Sequence, residues 1–157
     1  MDNEKIYDIY WEGPFEWDQR EAKIKDEHVL YQIYGSHHLY GRDVLLYIGS
    51  SVRGLKERLR EHEEWLEDEY DKVTLRFGSI GEFTNWKDWD TDDSYTKAKE
   101  DLVQRIEALL IYTHQPPYNQ INKSQAMKSK GIRIFNSGRS GQLFPEVSYK
   151  YFLSEFE

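Results

Sequence analysis

The stretch HVLYQIYGSHHLYGRDVLLYIGSS, residues 28–51, contains two apolar runs separated by a polar turn. The first run, residues 28–35, is rich in β-branched and aromatic residues and ends at a glycine, which is typical of a strand. The second run, residues 43–51, ends in Gly-Ser-Ser, a sequence that stops a strand. Because the two runs are close in sequence, we expect them to pair as an antiparallel hairpin.

Three further elements follow the hairpin. Residues 52–69 carry leucines at helical spacing with Lys, Glu and Arg between them, which predicts an amphipathic helix. Residues 72–80 alternate apolar and polar side chains and predict a third strand. Residues 96–114 predict a second helix, which the proline pair at 116–117 terminates.

The remaining segments have weaker patterns. The first 25 residues predict a short strand and a turn, residues 81–95 a loop or short helix, and the chain from 118 onward an extended segment wrapping the domain. The elements together predict a single α/β domain over residues 1–157. Its core would be a small, mainly antiparallel three-stranded sheet flanked by helices.

Composition limits the class of protein. The chain has 157 residues and no cysteine, which excludes disulfide scaffolds, thiolate metal sites and cysteine nucleophiles and fits a reducing compartment. No apolar run approaches the ~18 residues of a membrane span, and the first residues do not begin a signal peptide. We therefore expect a cytoplasmic protein with no membrane partner.

The charge is unevenly distributed. The net charge is −8, but the acidic excess lies in residues 1–27 (four basic, nine acidic) and 61–101 (five basic, fourteen acidic). Residues 28–60 (five basic, two acidic) and 102–157 (seven basic, four acidic) each carry +3. Polyanion binding depends on the local field rather than on the total charge. The acidic blocks are interpreted as solvated faces, and the two basic blocks leave nucleic-acid binding open.

Five short motifs follow one another through residues 28–122. They are Val-Leu-Tyr at 29–31, Tyr-Ile-Gly at 47–49, Leu-x-x-Arg-Leu-x-x-His at 55–62, Glu-Ala-Leu-Leu-Ile at 107–111 and Pro-Pro-Tyr-Asn at 116–119. In this order and spacing the chain resembles the GIY-YIG nuclease superfamily. The first motif departs from the family pattern, since Val29 replaces its glycine and Leu30 its isoleucine, while Tyr31 is kept.

The resemblance implies a metal-dependent DNA endonuclease that hydrolyses phosphodiester bonds by in-line attack of an activated water, with one Mg²⁺ or Mn²⁺ ion. Glu107 is implied as the metal ligand. The implied catalytic residues are Tyr31, Tyr47, Arg58, His62, Glu107 and Asn119.

The residue types suit that chemistry. A carboxylate such as Glu107 is a ligand that Mg²⁺ prefers, and the guanidinium of Arg58 matches a phosphate. The phenol of Tyr31 or Tyr47 could accept the proton of the attacking water if nearby cations lower its pKa.

Structural roles compete with these assignments. The two tyrosines lie in apolar runs and could be core aromatics, His62 lies on a leucine stripe, and Arg58 is surrounded by solvated charge. Asn119 could simply hydrogen-bond backbone after the prolines. Glu107 interrupts an apolar run, which makes a purely structural role harder to defend.

Further side chains are candidates for substrate binding. His37 and His38, in the turn of the hairpin, are interpreted either as phosphate contacts at the mouth of the site or as surface histidines. The C-terminal extension, residues 123–157, is basic and would grip the DNA backbone or merely solubilise the chain. Its candidate contacts are Lys123, Lys128, Lys130, Arg133 and Arg139.

The motifs position a phosphate and read no bases, so an RNA or structure-specific nuclease is an alternative. A non-cleaving nucleic-acid-binding or protein-interaction module is another, favoured by the net charge and the altered first motif. We expect DNA as the partner. A homodimer on palindromic sites and a separate protein that supplies sequence specificity both remain open.

Overall fold

The computed structural model describes residues 4–67, 72–82, 99–124 and 129–152. The strands are β1 Lys5–Glu16, β2 His28–His37, β3 Gly41–Ser50, β4 Thr74–Glu82, β5 Ile132–Gly138 and β6 Glu146–Ser148. The α-helices are α1 Arg20–Lys23, α2 Leu55–Arg60, α3 Glu63–Glu67 and α4 Glu100–His114, and short 3₁₀ helices span Trp17–Gln19 and Tyr149–Phe152.

The sheet is larger than the sequence predicts. It has six strands in the order β3-β2-β4-β1-β5-β6, with β1 and β5 parallel and the other neighbours antiparallel. The expected three-stranded sheet flanked by helices is therefore wrong. The three predicted strands are β2, β3 and β4, and they form one half of the sheet, with β2 and β3 paired as the expected hairpin.

The sequence did not predict the half of the sheet that contains β1, β5 and β6, because β1 is irregular and β5 is distant from it along the chain. A register shift between Glu12 and Phe15 interrupts the alternation of β1, which reads as a short strand and a turn. Its parallel neighbour β5 pairs Lys5 with Ile132, a contact that local sequence patterns cannot predict. The predicted extended C-terminal segment is thus partly sheet.

One helix prediction needs correction, and the other is confirmed over residues 100–114. The segment predicted as one helix over residues 52–69 forms two short helices, α2 and α3, with a turn at Glu61 and His62 between them. The second predicted helix is α4, which begins at Glu100 and ends before Gln115, a residue in the left-handed conformation. The predicted loop at 81–95 lies outside the described residues except for its first two, which end β4.

Side chains pack on both faces of the sheet. On one face, α4 contributes Ile106 and Leu109 to a core that includes Leu30 and Tyr34 of β2. On the other face, α2 contributes Leu55 and Leu59 to a core that includes Tyr31 and Ile33 of β2. Because side chains alternate along a strand, α2 and α4 lie on opposite faces, and both reach the edge strand β3. None of the described helices is long and apolar enough to cross a membrane.

Candidate active site

Three rings predicted to be catalytic lie against one another on the α2 face. The hydroxyl oxygen of Tyr31 is 2.7 Å from Nε2 of His62, and Tyr31 is fully buried. The ring of Tyr47 meets the His62 ring edge-on, with 4.7 Å between their centroids, and stacks on Tyr31 at 6.0 Å. Strands β2 and β3 therefore present both phenols to the imidazole that follows α2.

Gly49 makes room for this cluster. It pairs with Tyr31 across the β2–β3 ladder. A Cβ atom at Gly49 would lie 2.8 Å from Cε1 of Tyr31 and closer still to Cζ and the hydroxyl, distances that real Cβ atoms do not show. The glycine of the Tyr-Ile-Gly motif is thus explained by the tyrosine of the first motif, whose ring crosses it.

Arg58 joins the cluster from α2. Its guanidinium donates to the Tyr47 hydroxyl at 3.5 Å and forms an ion pair with Glu61, one turn along the chain. The pKa of Arg58 is raised by the nearby phenols and by Glu61, which outweigh the cost of its partial burial. The guanidinium is therefore a permanent cation beside the two phenols.

Glu107 reaches the same place from the opposite face of the sheet. The hydroxyl of Ser50, the residue after the Tyr-Ile-Gly motif, donates to Oε2 of Glu107 at 2.6 Å. This hydrogen bond joins the end of β3 to the middle of α4 and holds the carboxylate at the sheet edge.

An open cleft of about 590 Å³ lies at this edge, and we refer to it as the β3 cleft. It brings Arg58 of α2 and Glu107 of α4 to one cavity, although the two helices pack on different faces of the sheet. Its charged and hydrogen-bonding lining includes Ser50, Arg53, Arg58, Glu61, Glu100 and Glu107.

Burial sets the protonation of the ring cluster. It raises the pKa of Tyr31, and the neighbouring Tyr47 adds to the rise, so that Arg58 only partly offsets it. The pKa of Tyr47 is also raised, again mainly by burial. Both phenols therefore keep their protons at neutral pH. The sequence had instead suggested a phenol whose pKa is lowered by nearby cations. Burial and Arg58 lower the pKa of His62 to about 4, so its imidazole is neutral.

The residues at Glu107 fit a magnesium-type ion. A carboxylate and a serine hydroxyl are hard oxygen donors, and an open cleft leaves room for the several waters that Mg²⁺ keeps. Glu100 lines the same cleft but lies seven residues earlier on α4, about 10.5 Å along the helix axis. The resemblance implies Glu107, rather than Glu100, as the ligand of such an ion.

A second group of potential ligands, Glu12, Glu27 and His28, lies within 4.8 Å on another part of the sheet. Nδ1 of His28 accepts a hydrogen bond from the backbone N–H of Lys25, at 2.9 Å. The ring proton must then be on Nε2, where it donates to Glu12 at 3.2 Å. In this hydrogen-bonding arrangement neither ring nitrogen of His28 offers a lone pair to an ion, and the two carboxylates are the remaining oxygen donors of the group.

Asn119 has a structural position. Its Oδ1 accepts the N–H of Ile48 and its Nδ2 donates to the carbonyl of the same residue, both at 2.9 Å. The amide side chain thereby pairs with the backbone of β3 as a neighbouring strand would. It does so at Ile48, the central residue of the Tyr-Ile-Gly motif. Asn119 is not among the residues lining the β3 cleft.

His37 and His38 are not brought to the cleft. They stack on each other in the β2–β3 turn, with ring centroids 4.6 Å apart, and His37 also stacks on Tyr40. Six strand positions separate His37 from Tyr31, about 20 Å along β2. The two histidines therefore do not lie at the mouth of the site, where the sequence placed them.

The basic residues of the C-terminal extension are dispersed. Lys123 donates to the carbonyl of Pro116, and Arg133 forms ion pairs with Glu4 and Glu146. Lys130 and Arg139 are exposed, and neither is among the residues lining the β3 cleft. Lys128 lies outside the described residues.

Two further residues of the β3 cleft, Ser50 and Arg53, lie outside the sequence motifs. Ser50 directly follows the Tyr-Ile-Gly motif, so its place at the end of a predicted strand was the available signal. Arg53 lies in the turn before α2, where its charge was counted only within a basic block. No protein family, curated protein or solved structure matches this chain.

Proposed function

We propose that the chain is a metal-dependent nuclease of the GIY-YIG type that hydrolyses phosphodiester bonds in DNA. The observation that supports this best is the β3 cleft, where Arg58 and Glu107 line one cavity at the end of the Tyr-Ile-Gly strand. A cation for the phosphate and a carboxylate for a divalent ion are the groups that phosphodiester hydrolysis needs.

Glu107, oriented by Ser50, would hold the Mg²⁺ or Mn²⁺ ion. When bound, the ion supplies positive charge to the oxygen that departs from phosphorus. Arg58 binds a non-bridging oxygen of the same phosphate through its planar guanidinium. Its ion pair with Glu61 and its contact with Tyr47 fix the side chain before substrate arrives, so little entropy is lost on binding.

The ring cluster, which consists of Tyr31, Tyr47 and His62, accepts the proton of the attacking water. Within this cluster both phenols are protonated and His62 is neutral, so His62 is its proton acceptor, a weak base whose pKa burial and Arg58 lower to about 4. The water proton passes to the oxygen of Tyr47 while the proton of Tyr47 passes to Tyr31. Tyr31 then delivers its proton to Nε2 of His62, 2.7 Å away. No phenolate needs to be present before the reaction.

Supercoiled plasmid at low salt tests the proposal. The wild-type chain with Mg²⁺ or Mn²⁺ should convert the plasmid to nicked or linear forms, and a chelator should prevent this. An RNA of similar length, run in parallel, distinguishes a DNA enzyme from an RNA enzyme. Binding of DNA without cleavage in either metal would contradict the proposal and favour a non-cleaving module.

A further inference from the structure

Arg53 occupies a fixed turn at the rim of the β3 cleft. The backbone N–H groups of Arg53 and Gly54 both donate to Oγ of Ser51, at 3.3 Å each. Gly54 has a φ of 140°, a conformation that favours glycine, and the chain then enters α2. The backbone that carries Arg53 is therefore held in place by the turn between β3 and α2.

The side chain of Arg53 lies on a ridge between two cavities. Ser51, Val52 and Arg53 line both the β3 cleft and a neighbouring cleft of about 770 Å³. Arg53 is exposed, and within the described part of the chain its guanidinium makes no ion pair or hydrogen bond. Arg58, the other arginine of the β3 cleft, is already paired with Glu61.

Arg53 makes the net charge in the β3 cleft positive once a divalent ion is bound. Arg58 and Glu61 neutralise each other, which leaves Arg53 against Glu100 and Glu107. The net charge of these three side chains is −1, and one divalent ion at Glu107 changes it to +1. Without Arg53 the same cleft would be neutral with the ion and −2 without it. Since each phosphodiester carries −1, Arg53 gives the loaded cleft the net positive charge that adds to the attraction of the backbone by Arg58.

We propose that Arg53 is a substrate-binding residue that contacts a backbone phosphate next to the one that is cleaved. The inference rests on the proposed nuclease function and deepens it, because it names a second phosphate position in the same cleft. Arg53 has no role in the chemical step. Its loss should therefore weaken binding and leave the rate at saturating DNA almost unchanged.

The test compares Arg53→Gln with Arg42→Gln, which removes the same charge from an exposed position at the start of β3. Binding of a fluorescent duplex is measured between ~50 and ~200 mM salt, with Ca²⁺ replacing Mg²⁺ to slow cleavage. Arg53→Gln should bind about tenfold more weakly and lower the slope of log K against log salt by about one. Arg42→Gln should match the wild type, and Arg53→Lys should recover part of the affinity.

Two results would overturn the inference in distinguishable ways. If the wild type binds and nicks DNA but Arg53→Gln binds as well as Arg42→Gln, the Arg53 contact is wrong and the nuclease proposal stands. If the wild type neither binds nor nicks, the nuclease proposal fails and the Arg53 contact fails with it. Thermal melting of each variant shows that it is folded, and the retained charge of Arg53→Lys supplies a second folded comparison.

Discussion

Tyr31 connects folding and the proposed chemistry at a single residue. Its ring fills the space above Gly49 and packs in the α2-side core, while its hydroxyl meets His62. The sequence motif identified Tyr31 as a site residue, and its burial was an open alternative. Burial does not exclude the proposed role, because a fully buried phenol can pass a proton through hydrogen bonds.

Tyr31→Phe separates the two roles of the residue. The ring is kept, so the packing should survive, but the buried hydrogen bond between Tyr31 and His62 is lost, at a cost of about 1–3 kcal/mol. We expect nicking to fall by about a hundredfold or more, the usual contribution of acid–base catalysis. Plasmid nicking and urea denaturation of the same preparation measure both effects.

The matched control is Tyr34→Phe. Tyr34 lies on the same strand and faces the α4-side core, and its hydroxyl donates to Gln32 and accepts the backbone N–H of Gln142 at 2.8 Å. It should lose comparable stability and keep its nicking rate once the folded fraction is taken into account. Equal activity losses in the two variants would mean that Tyr31 acts through stability alone.

At the scale of elements, the edge of β3 is closed by two side chains and by the backbone N–H of Tyr118, which donates to the carbonyl of Leu46 at 3.0 Å, rather than by another strand. Asn119 satisfies Ile48, and the amide oxygen of Gln142 accepts the N–H of Leu45 at 2.9 Å. An open edge next to the cleft would expose unpaired backbone groups to other chains. The Pro-Pro-Tyr-Asn motif is thus a structural support for the Tyr-Ile-Gly strand.

Asn119→Ala should therefore destabilise the fold. It removes two buried hydrogen bonds and leaves both backbone groups of Ile48 without a partner, which we expect to cost about 2–4 kcal/mol. Gln142→Ala, at the more exposed part of the same edge, should cost less. Urea denaturation measures both. A stable Asn119→Ala protein with abolished nicking would instead place Asn119 among the reacting groups.

The sequence predicted elements better than it predicted their assembly. The hairpin of β2 and β3 and the third strand β4 are local: the first two are apolar runs that end at glycine, and the third alternates apolar and polar side chains, so their patterns were informative. The sequence did not predict the break between α2 and α3, since the leucine spacing continues across the turn at Glu61 and His62. Ser50 and Arg53 were missed because their roles depend on α4 and on a cleft, neither of which a local pattern contains.

For the whole molecule, the sheet depends on β1, which lies between β4 and β5 and carries the buried carboxyl of Asp8. The hydroxyl of Ser137 on β5 donates to this carboxyl at 3.0 Å. Burial nevertheless raises the pKa of Asp8 from 3.8 to about 6. The carboxylate is charged at neutral pH, and its burial costs free energy that the packing of the sheet must offset.

Asp8→Asn should stabilise the protein at neutral pH. The folded pKa lies above the unfolded value, so the stabilising contribution of Asp8 exists below pH 4 and is lost as the pH rises through 6. A difference of this size corresponds to at most about 3 kcal/mol. Urea denaturation at pH 7 should show the gain, and at pH 4 the gain should be nearly absent. An equal gain at both pH values would assign the effect to packing.

The nuclease account depends most directly on Glu107. Glu107→Gln replaces a carboxylate by a near-isosteric amide with similar helix propensity, so α4 should remain folded. An amide oxygen is a poorer ligand for a hard divalent ion, and its loss should cut metal-dependent nicking by roughly a thousandfold or more. Glu100→Gln is the matched control, since Glu100 lies on the same helix, lines the same cleft and loses the same charge.

The decisive measurement is the nicking rate of supercoiled plasmid with Mg²⁺ for the wild type, Glu107→Gln and Glu100→Gln, with thermal melting of each protein. The account predicts a metal-dependent wild type, a folded and inactive Glu107→Gln variant, and a Glu100→Gln variant within about tenfold of the wild type. Full nicking activity in folded Glu107→Gln, or equal losses in the two variants, would contradict it.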